Sequence, residues 1–265
     1  MNCVGFIGAG NMATAIIGGI FKANICDAMF AFDLDENKLD NLKKYGVIAQ
    51  SSSNELAKKV NYLLLAVKPQ HIKAVLENIK ADIKQDTVII SIAAGITGGY
   101  ISKVLGFNAK VVQVMPNTPL MLSYGATAIS KSDYVSDVEF NYVKSIFDCA
   151  GKTEIVPKEK MNEIIPINGS SPAFIYKFAE CFINYGKSVD LDEKVCLTLF
   201  SQSLIGSAKM LTDSGLSIEE LITMVSSKGG TTIAGLDGLK AMKLEDAVQT
   251  ACEKCVKRAY ELTLE

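Results

Sequence analysis

Residues Gly8-Ala9-Gly10-Asn11-Met12-Ala13 have the pattern G-x-G-x-x-A, and they stand between a short apolar run, Asn2–Ile7, and a stretch with helical spacing, Asn11–Ala23. This context constrains the fold more than any other feature of the chain. A strand, a tight glycine turn and a helix in succession open a β-α-β unit. The first glycine permits the turn, the second lets a pyrophosphate approach the backbone, and the small third position lets helix pack on strand. Unpaired N–H groups and the positive end of the helix then favour an anion. Alone, the pattern also fits a glycine turn in an ordinary α/β protein. An acid at the right distance makes it a dinucleotide site, and Asp33 closes the next apolar run, Ala28–Asp33, 25 residues past Gly8. An aspartate there accepts from a ribose 2′-hydroxyl. Asp33, Asp35 and Glu36 together would repel a 2′-phosphate, and Lys38 is the only close base, so these residues favour NADH over NADPH. A solvated acidic turn is the other reading of the cluster.

The first half continues to alternate. Val47–Ala49, Tyr62–Val67, Thr87–Ile92, Lys110–Met115, Ala126–Ile129 and Thr153–Val156 read as strands. Asp35–Tyr45, Asn54–Lys59, Gln70–Ile83, Ile96–Leu105 and Ser136–Cys149 read as helices. Such alternation predicts parallel pairing through right-handed crossovers, a Rossmann-like doubly wound α/β sheet. Beyond about Lys158 strand signals vanish, and Glu159–Lys187, Asp192–Ser214, Ile218–Ser226, Thr231–Met242 and Leu244–Leu262 have helical spacing. The expected organisation is a dinucleotide-binding domain over residues 1–160 and an all-α domain over 161–265. Gly169 and Pro172 interrupt the first of these helices, so a kink is expected there.

Ligands of open sheets sit beyond the carboxyl ends of the strands. Three such ends are unusual: Val67-Lys68-Pro69-Gln70, the small Ala93-Ala94-Gly95, and Met115-Pro116-Asn117-Thr118-Pro119, where Asn117 offers an amide to a polar ligand. In the second half, Ser226-Ser227-Lys228-Gly229-Gly230-Thr231-Thr232 is a Gly-Gly turn opening a helix. Bare amides there suit a carboxylate, and the Thr232 hydroxyl can both donate and accept. A plain helix–helix turn capped by threonine is the alternative.

Composition narrows the rest. A chain of 265 residues with 49% apolar residues can bury two cores. With 27 basic and 29 acidic residues interspersed, it offers no basic stripe for nucleic acid, and a small-molecule substrate is expected. Seven scattered cysteines make no disulfide framework and suggest a reducing cytoplasm. The uncharged stretch from Met1 to Phe21 is broken by glycines and lacks basic residues before it, so neither a signal peptide nor a membrane anchor is expected. His71 is the only histidine, which argues against a Ser-His-Asp triad or a histidine metal site, and it reads as a surface-helix residue. Cys252-x-x-Cys255 lies on one helix face without partners and reads as packing, so no metal is expected.

Taken in order, G-x-G-x-x-A, V-K-P-Q, M-P-N-T-P and S-S-x-G-G-T-T closely resemble the pyrroline-5-carboxylate reductases along nearly the whole chain. The resemblance implies reduction of 1-pyrroline-5-carboxylate to L-proline by hydride transfer from NADPH or NADH. It implies that Gly8, Ala9, Gly10, Asn11 and Met12 hold the pyrophosphate, that Asn54 lies by the adenosine end, and that Ala66–Pro69 and Ala93–Gly95 line the nicotinamide half. Ser227, Gly229, Gly230 and Thr231 would cradle the substrate carboxylate, and Thr232, the candidate catalytic residue, would bond the ring nitrogen. It further implies a homodimer built through the helical domain, assembling to a decamer. Lys228 replaces the family's usual proline, Asn168 and Ser171 a serine and a glycine, and Asp213 a glutamate common in bacterial members. Two other readings remain: a 3-hydroxy acid dehydrogenase of the same two-domain plan with Lys177 as base, and a nucleotide-sensing protein without turnover.

Overall fold

The structure, a computed structural model, describes residues 2–264. Its strands are β1 (Cys3–Ile7), β2 (Ala28–Phe32), β3 (Ile48–Ala49), β4 (Tyr62–Leu65), β5 (Val88–Ser91), β6 (Lys110–Met115), β7 (Gly125–Lys131) and β8 (Gly151–Ile155). They form one sheet in the order β3-β2-β1-β4-β5-β6-β7-β8. Between them run α1 (Asn11–Ala23), α2 (Glu36–Leu42), α3 (Ser53–Ala57), α4 (Pro69–Ile79), α5 (Gly98–Leu105) and α6 (Asp137–Asp148). The first six strands are parallel and reverse their order at β1 and β4, the doubly wound arrangement whose ligands lie at the reversal.

The sequence dictates this sheet through burial on both faces. All four residues of β4, Tyr-Leu-Leu-Leu, are buried, as are all four of β5. Alternate residues feed two separate cores. Phe6, Leu64, Ile90 and Val112 pack with Ile16 and Ile20 of α1 and Phe147 of α6. Ile7, Leu63, Leu65 and Ile89 pack with Ile72 and Leu76 of α4 and Ile101 of α5. Helix starts follow local chemistry. Ser136 and Glu139 close a reciprocal capping box on α6, and Ser52 caps α3 by accepting from the Glu55 amide.

One pairing departs from the expected all-parallel pattern. β7 runs antiparallel to β6, with Val112 opposite Lys131 and Met115 opposite Ala128. Only residues 116–124 connect them, folded as a 3₁₀ turn at Thr118–Leu122. That connection is too short for a crossover, which needs a dozen or more residues, so the chain must turn back on itself. α6 then restores the crossover, and β8 pairs parallel to β7.

After β8 the chain makes a 3₁₀ turn at Lys158–Lys160 and a π-helical turn at Ile165–Gly169 before α7 (Ser171–Ser188). The π turn is the kink foreseen at Gly169, and Pro172 follows in the first turn of α7, where its missing N–H costs nothing. α8 (Glu193–Asp213), α9 (Ile218–Met224), α10 (Thr231–Ala241) and α11 (Leu244–Leu264) complete the chain. One compact unit runs through Pro172 and includes α11 from Lys254 onward; the other is Ala173–Glu253. This division differs from a break at residue 160, because residues 161–172 belong with the sheet. Tyr260 of α11 also donates to Glu163 Oε1 at 2.8 Å within that first unit.

The helical unit is unusual in what it leaves uncovered. Among its described residues only Ile183 is a buried apolar side chain, while Leu199, Ile205 and Leu211 are more than half exposed. Phe200 stacks on Phe182, and Phe178 meets Phe182 edge-on. Apolar surface on this scale marks an association face.

Leu64→Ala should lower the unfolding free energy of the sheet unit by about 2–5 kcal/mol, whereas Val138→Ala, on the exposed side of α6, should change it by no more than about 0.5 kcal/mol. Urea denaturation of the two variants against the parent chain measures both.

Candidate active site

The glycine turn lies where β2, β1 and β4 end. Gly8 has φ +100°, and its amide donates to the Phe32 carbonyl at 2.8 Å. A Cβ at Gly8 would stand 2.6 Å from the Ala66 carbonyl oxygen, so both backbone conformation and space require glycine. Ala13 is fully buried under the sheet, as the third position of the pattern demands. Gly10 caps α1 without a side-chain hydrogen bond, and a Cβ there would meet nothing within 4 Å. The first amides of α1, at the exposed Asn11 and half-buried Met12, therefore have open space before them. Such a helix start is a ready anion site.

Asp33 is bonded into this turn. Its Oδ2 accepts from the Ala9 amide at 2.7 Å, and its Oδ1 from the Asp35 amide at 3.0 Å and Lys38 Nζ at 3.4 Å. Burial works to raise the Asp33 pKa, but the two amides and the Lys38 ammonium outweigh it and hold the carboxyl below its ordinary value. The charge is thus fixed at neutral pH.

A cavity of about 750 Å³ opens over the same strand ends, lined by Gly8, Asp33, Lys38 and Val67. Ser52, Ser53, Leu34 and His71 also face it, and sequence reasoning had assigned none of these four to a ligand. Their signal lay in strand order: each follows β2, β3 or β4, the strands on either side of β1. Asn54 is placed differently from its neighbours. Its Nδ2 donates to the Asn78 carbonyl at 2.7 Å and to Asp82 Oδ2 at 2.6 Å, while its Oδ1 accepts from Asn78 Nδ2 at 2.7 Å. Asn54 thereby ties α3 to α4, and Ser52 and Ser53 line the cavity instead. Cavity size, bare amides and a fixed carboxylate fit the adenosine and pyrophosphate portions of a dinucleotide.

Along the rim, Ala66 and Val67 are half-buried, Lys68 caps α4, and Pro69 occupies its first position. After β5, Ala93 and Gly95 are buried, Ala94 is half-buried, and Gly95 has φ +78°. Asn117 is where expected but differently employed. Its Nδ2 donates to the Asn168 carbonyl at 3.1 Å and its Oδ1 accepts from the Ala126 amide at 2.9 Å. Asn168 answers with its own amide, donating to the Met115 carbonyl at 2.6 Å and the Ala126 carbonyl at 3.1 Å. Both side chains are buried. The pair locks the end of β6, the start of β7 and the π turn together, so the Asn117 amide is spent on the fold.

The helical unit carries the second glycine turn. The Gly230 amide donates to the Ser227 carbonyl at 2.9 Å, and Gly229 has φ +71°, making Ser227–Gly230 a β-turn with glycine at its left-handed position. Gly230, not a threonine, caps α10, and it does so without a side-chain hydrogen bond. The amides of Thr231 and Thr232 thus open the helix bare, with Thr231 exposed and Thr232 half-buried. A Cβ at Gly230 would collide with Ser227 Oγ, and Ser226 Oγ is buried without a hydrogen-bond partner.

Elsewhere, Lys177 forms an ion pair with Glu180 on the exposed side of α7. All seven cysteines, Cys252 and Cys255 included, are free thiols. Among the described residues no cluster of three His, Cys, Asp or Glu side chains could hold a metal ion, and no helix is long and apolar enough to cross a membrane.

Gly8→Ala should abolish dinucleotide binding, measured by calorimetry, because the methyl group would force β1 and β4 apart. Asn168→Ala should cost about 1–3 kcal/mol in urea unfolding by leaving the half-buried carbonyls of Met115 and Ala126 without that donor.

Comparison with known proteins agrees with this geometry. Residues 158–262 match the family described as pyrroline-5-carboxylate reductase dimerisation, and residues 3–95 match NADP oxidoreductase coenzyme F420-dependent. The pyrroline-5-carboxylate reductase of Methanosarcina acetivorans is 33% identical over 98% of this chain and 97% of its own. The crystal structure of the Coxiella burnetii pyrroline-5-carboxylate reductase superposes with a TM-score of 0.91 at 30% identity, covering 98% of each chain. That of the Plasmodium falciparum pyrroline carboxylate reductase, with NADP bound, gives 0.89 at 29% identity over 99% of this chain and 98% of that one. The chain belongs to the pyrroline-5-carboxylate reductase family.

Proposed function

We propose that this chain reduces 1-pyrroline-5-carboxylate to L-proline with a reduced nicotinamide dinucleotide, the closing step of proline biosynthesis. The observation that carries the reading is a pair of glycine turns, each opening a helix with bare amides: Gly8–Gly10 before α1 and Gly229–Gly230 before α10. One suits a pyrophosphate and the other a carboxylate. Full-length likeness to this family supports the pairing of the two.

The chemistry needs little from the protein. A reduced nicotinamide supplies a hydride from its C4, which forms the new C–H bond at the imine carbon as the C=N π electrons move to nitrogen. The substrate reacts as its iminium, whose ring nitrogen has already taken a proton from water, and that proton stays there as the N–H of proline. Thr232 holds that nitrogen through its hydroxyl, while the Gly229, Gly230 and Thr231 amides and Ser227 anchor the carboxylate. Ala66–Pro69 and the small residues Ala93–Gly95 form the wall for the nicotinamide. Holding the reacting atoms in line and excluding water accounts for most of the acceleration such a site can give.

Asp33 supports NADH over NADPH. Its carboxylate faces the cavity with its charge held by two backbone amides, and a 2′-phosphate beside it would meet like charge. Lys38 is already shared between Asp33 and Asp35. The uncovered apolar helical unit supports a homodimer, which would assemble further to a decamer, and the free thiols suit the cytoplasm. A 3-hydroxy acid dehydrogenase loses support because Lys177, its required base, is engaged by Glu180 at the surface.

Purified chain should oxidise NADH when 1-pyrroline-5-carboxylate is supplied and leave 3-hydroxy acids untouched; tight NADH binding without turnover would favour a sensor instead. Thr232→Ala should reduce kcat/KM by a factor equivalent to about 1–3 kcal/mol while NADH binding persists, and unchanged kinetics would exclude its role. Asp33→Ser should move the ratio of kcat/KM values toward NADPH. A parent chain that already prefers NADPH strongly at equal low concentration would remove the assignment of Asp33.

A further inference from the structure

We propose that His71 determines recognition of the adenine end of the cofactor: its imidazole stacks on the purine ring, with Leu34 as the facing wall. The inference rests on reading the cavity of about 750 Å³ as the dinucleotide site. Strand order places the two residues. β1, which carries the glycine turn, lies between β2 and β4 in the sheet. Leu34 comes off the end of β2, and His71 lies in the first turn of the helix that follows β4. They therefore enter the cavity from the two strands that flank β1, and both line it.

The wall carrying His71 is built as one helical stripe. His71, Ala74, Val75 and Asn78 fall at positions i, i+3, i+4 and i+7 of α4, and all four face the cavity. The polar groups are concentrated elsewhere: Asp33 is bonded to the glycine turn and to Lys38, and Ser53 Oγ accepts from Asn78 Nδ2 at 2.9 Å. Between them the stripe offers an imidazole face and two small apolar side chains. Leu34 is 93% exposed, an apolar side chain standing in water at the mouth of a cavity. A flat, largely apolar ring would bury it and would meet the imidazole face to face. A purine is the part of a dinucleotide with that shape, and aromatic stacking recognises it without a hydrogen-bond code.

Calorimetric titration of the full chain with ADP-ribose tests this without turnover. His71→Ala and His71→Asn should each weaken ADP-ribose binding about tenfold, while His71→Phe, which keeps a ring, should retain it. Leu34→Ser should weaken it in the same direction. In steady state, His71→Ala should raise KM for NADH with kcat unchanged, and leave KM for reduced nicotinamide mononucleotide, which has no adenosine, where it was. The proposal is overturned if His71→Asn binds ADP-ribose like the parent chain, or if KM for both reduced nucleotides rises in step. Absence of any pyrroline-5-carboxylate reduction by the parent chain would sink the functional reading alone, since the ADP-ribose titration would still decide the role of His71.

Discussion

Three strands meet at a residue with no side chain. Gly8 lies against the Ala66 carbonyl after β4 on one side and donates its amide hydrogen to the Phe32 carbonyl of β2 on the other. Everything in the dinucleotide half depends on that closeness. It brings the end of β1 down between its neighbours, leaves the start of α1 facing open space, and sets Ala9 where Asp33 can reach its amide. Asp33 then links the acidic end of β2 to the turn, so the glycine turn and the Asp33 carboxylate form one hydrogen-bonded object. Hydrogen bonds to Phe32 and Asp33 hold the loop in this shape, and an anion that binds a loop so held is spared part of the ordering cost that a mobile loop would incur.

Much of this was legible in the residue order because the rules involved are local. A glycine at a left-handed turn, a small residue under a helix and a buried four-residue strand each leave a mark within a few positions. The reversal of β7 was not legible from alternation alone, although the brevity of the link after Met115 held the clue. What could not be read were the side-chain partners. Asn117 offered a free amide on paper, yet its partner Asn168 lies 51 residues away, and nothing in the local sequence announces that meeting. Asn54 was spent on Asn78 and Asp82 for the same reason. His71, read as a surface residue, is exposed as expected, but the surface it occupies is the wall of a cavity, and exposure alone does not distinguish the two.

The two glycine turns use one physical device in different settings. At Gly8–Gly10 the turn is compressed between strands and stiffened by Asp33. At Gly229–Gly230 it spans two helices, with a single backbone hydrogen bond across it and Lys228 at the position where proline would fix the backbone. Local chemistry separates a rigid turn from a softer one.

The sparse interior of the helical unit carries a different consequence. Helices with almost no buried apolar side chains of their own draw their cohesion from whatever copy covers them, so their persistence follows mass action. Dilution then acts on this half of the chain as a denaturant would, while the sheet, sealed on both faces by its own helices, is indifferent to how crowded the solution is.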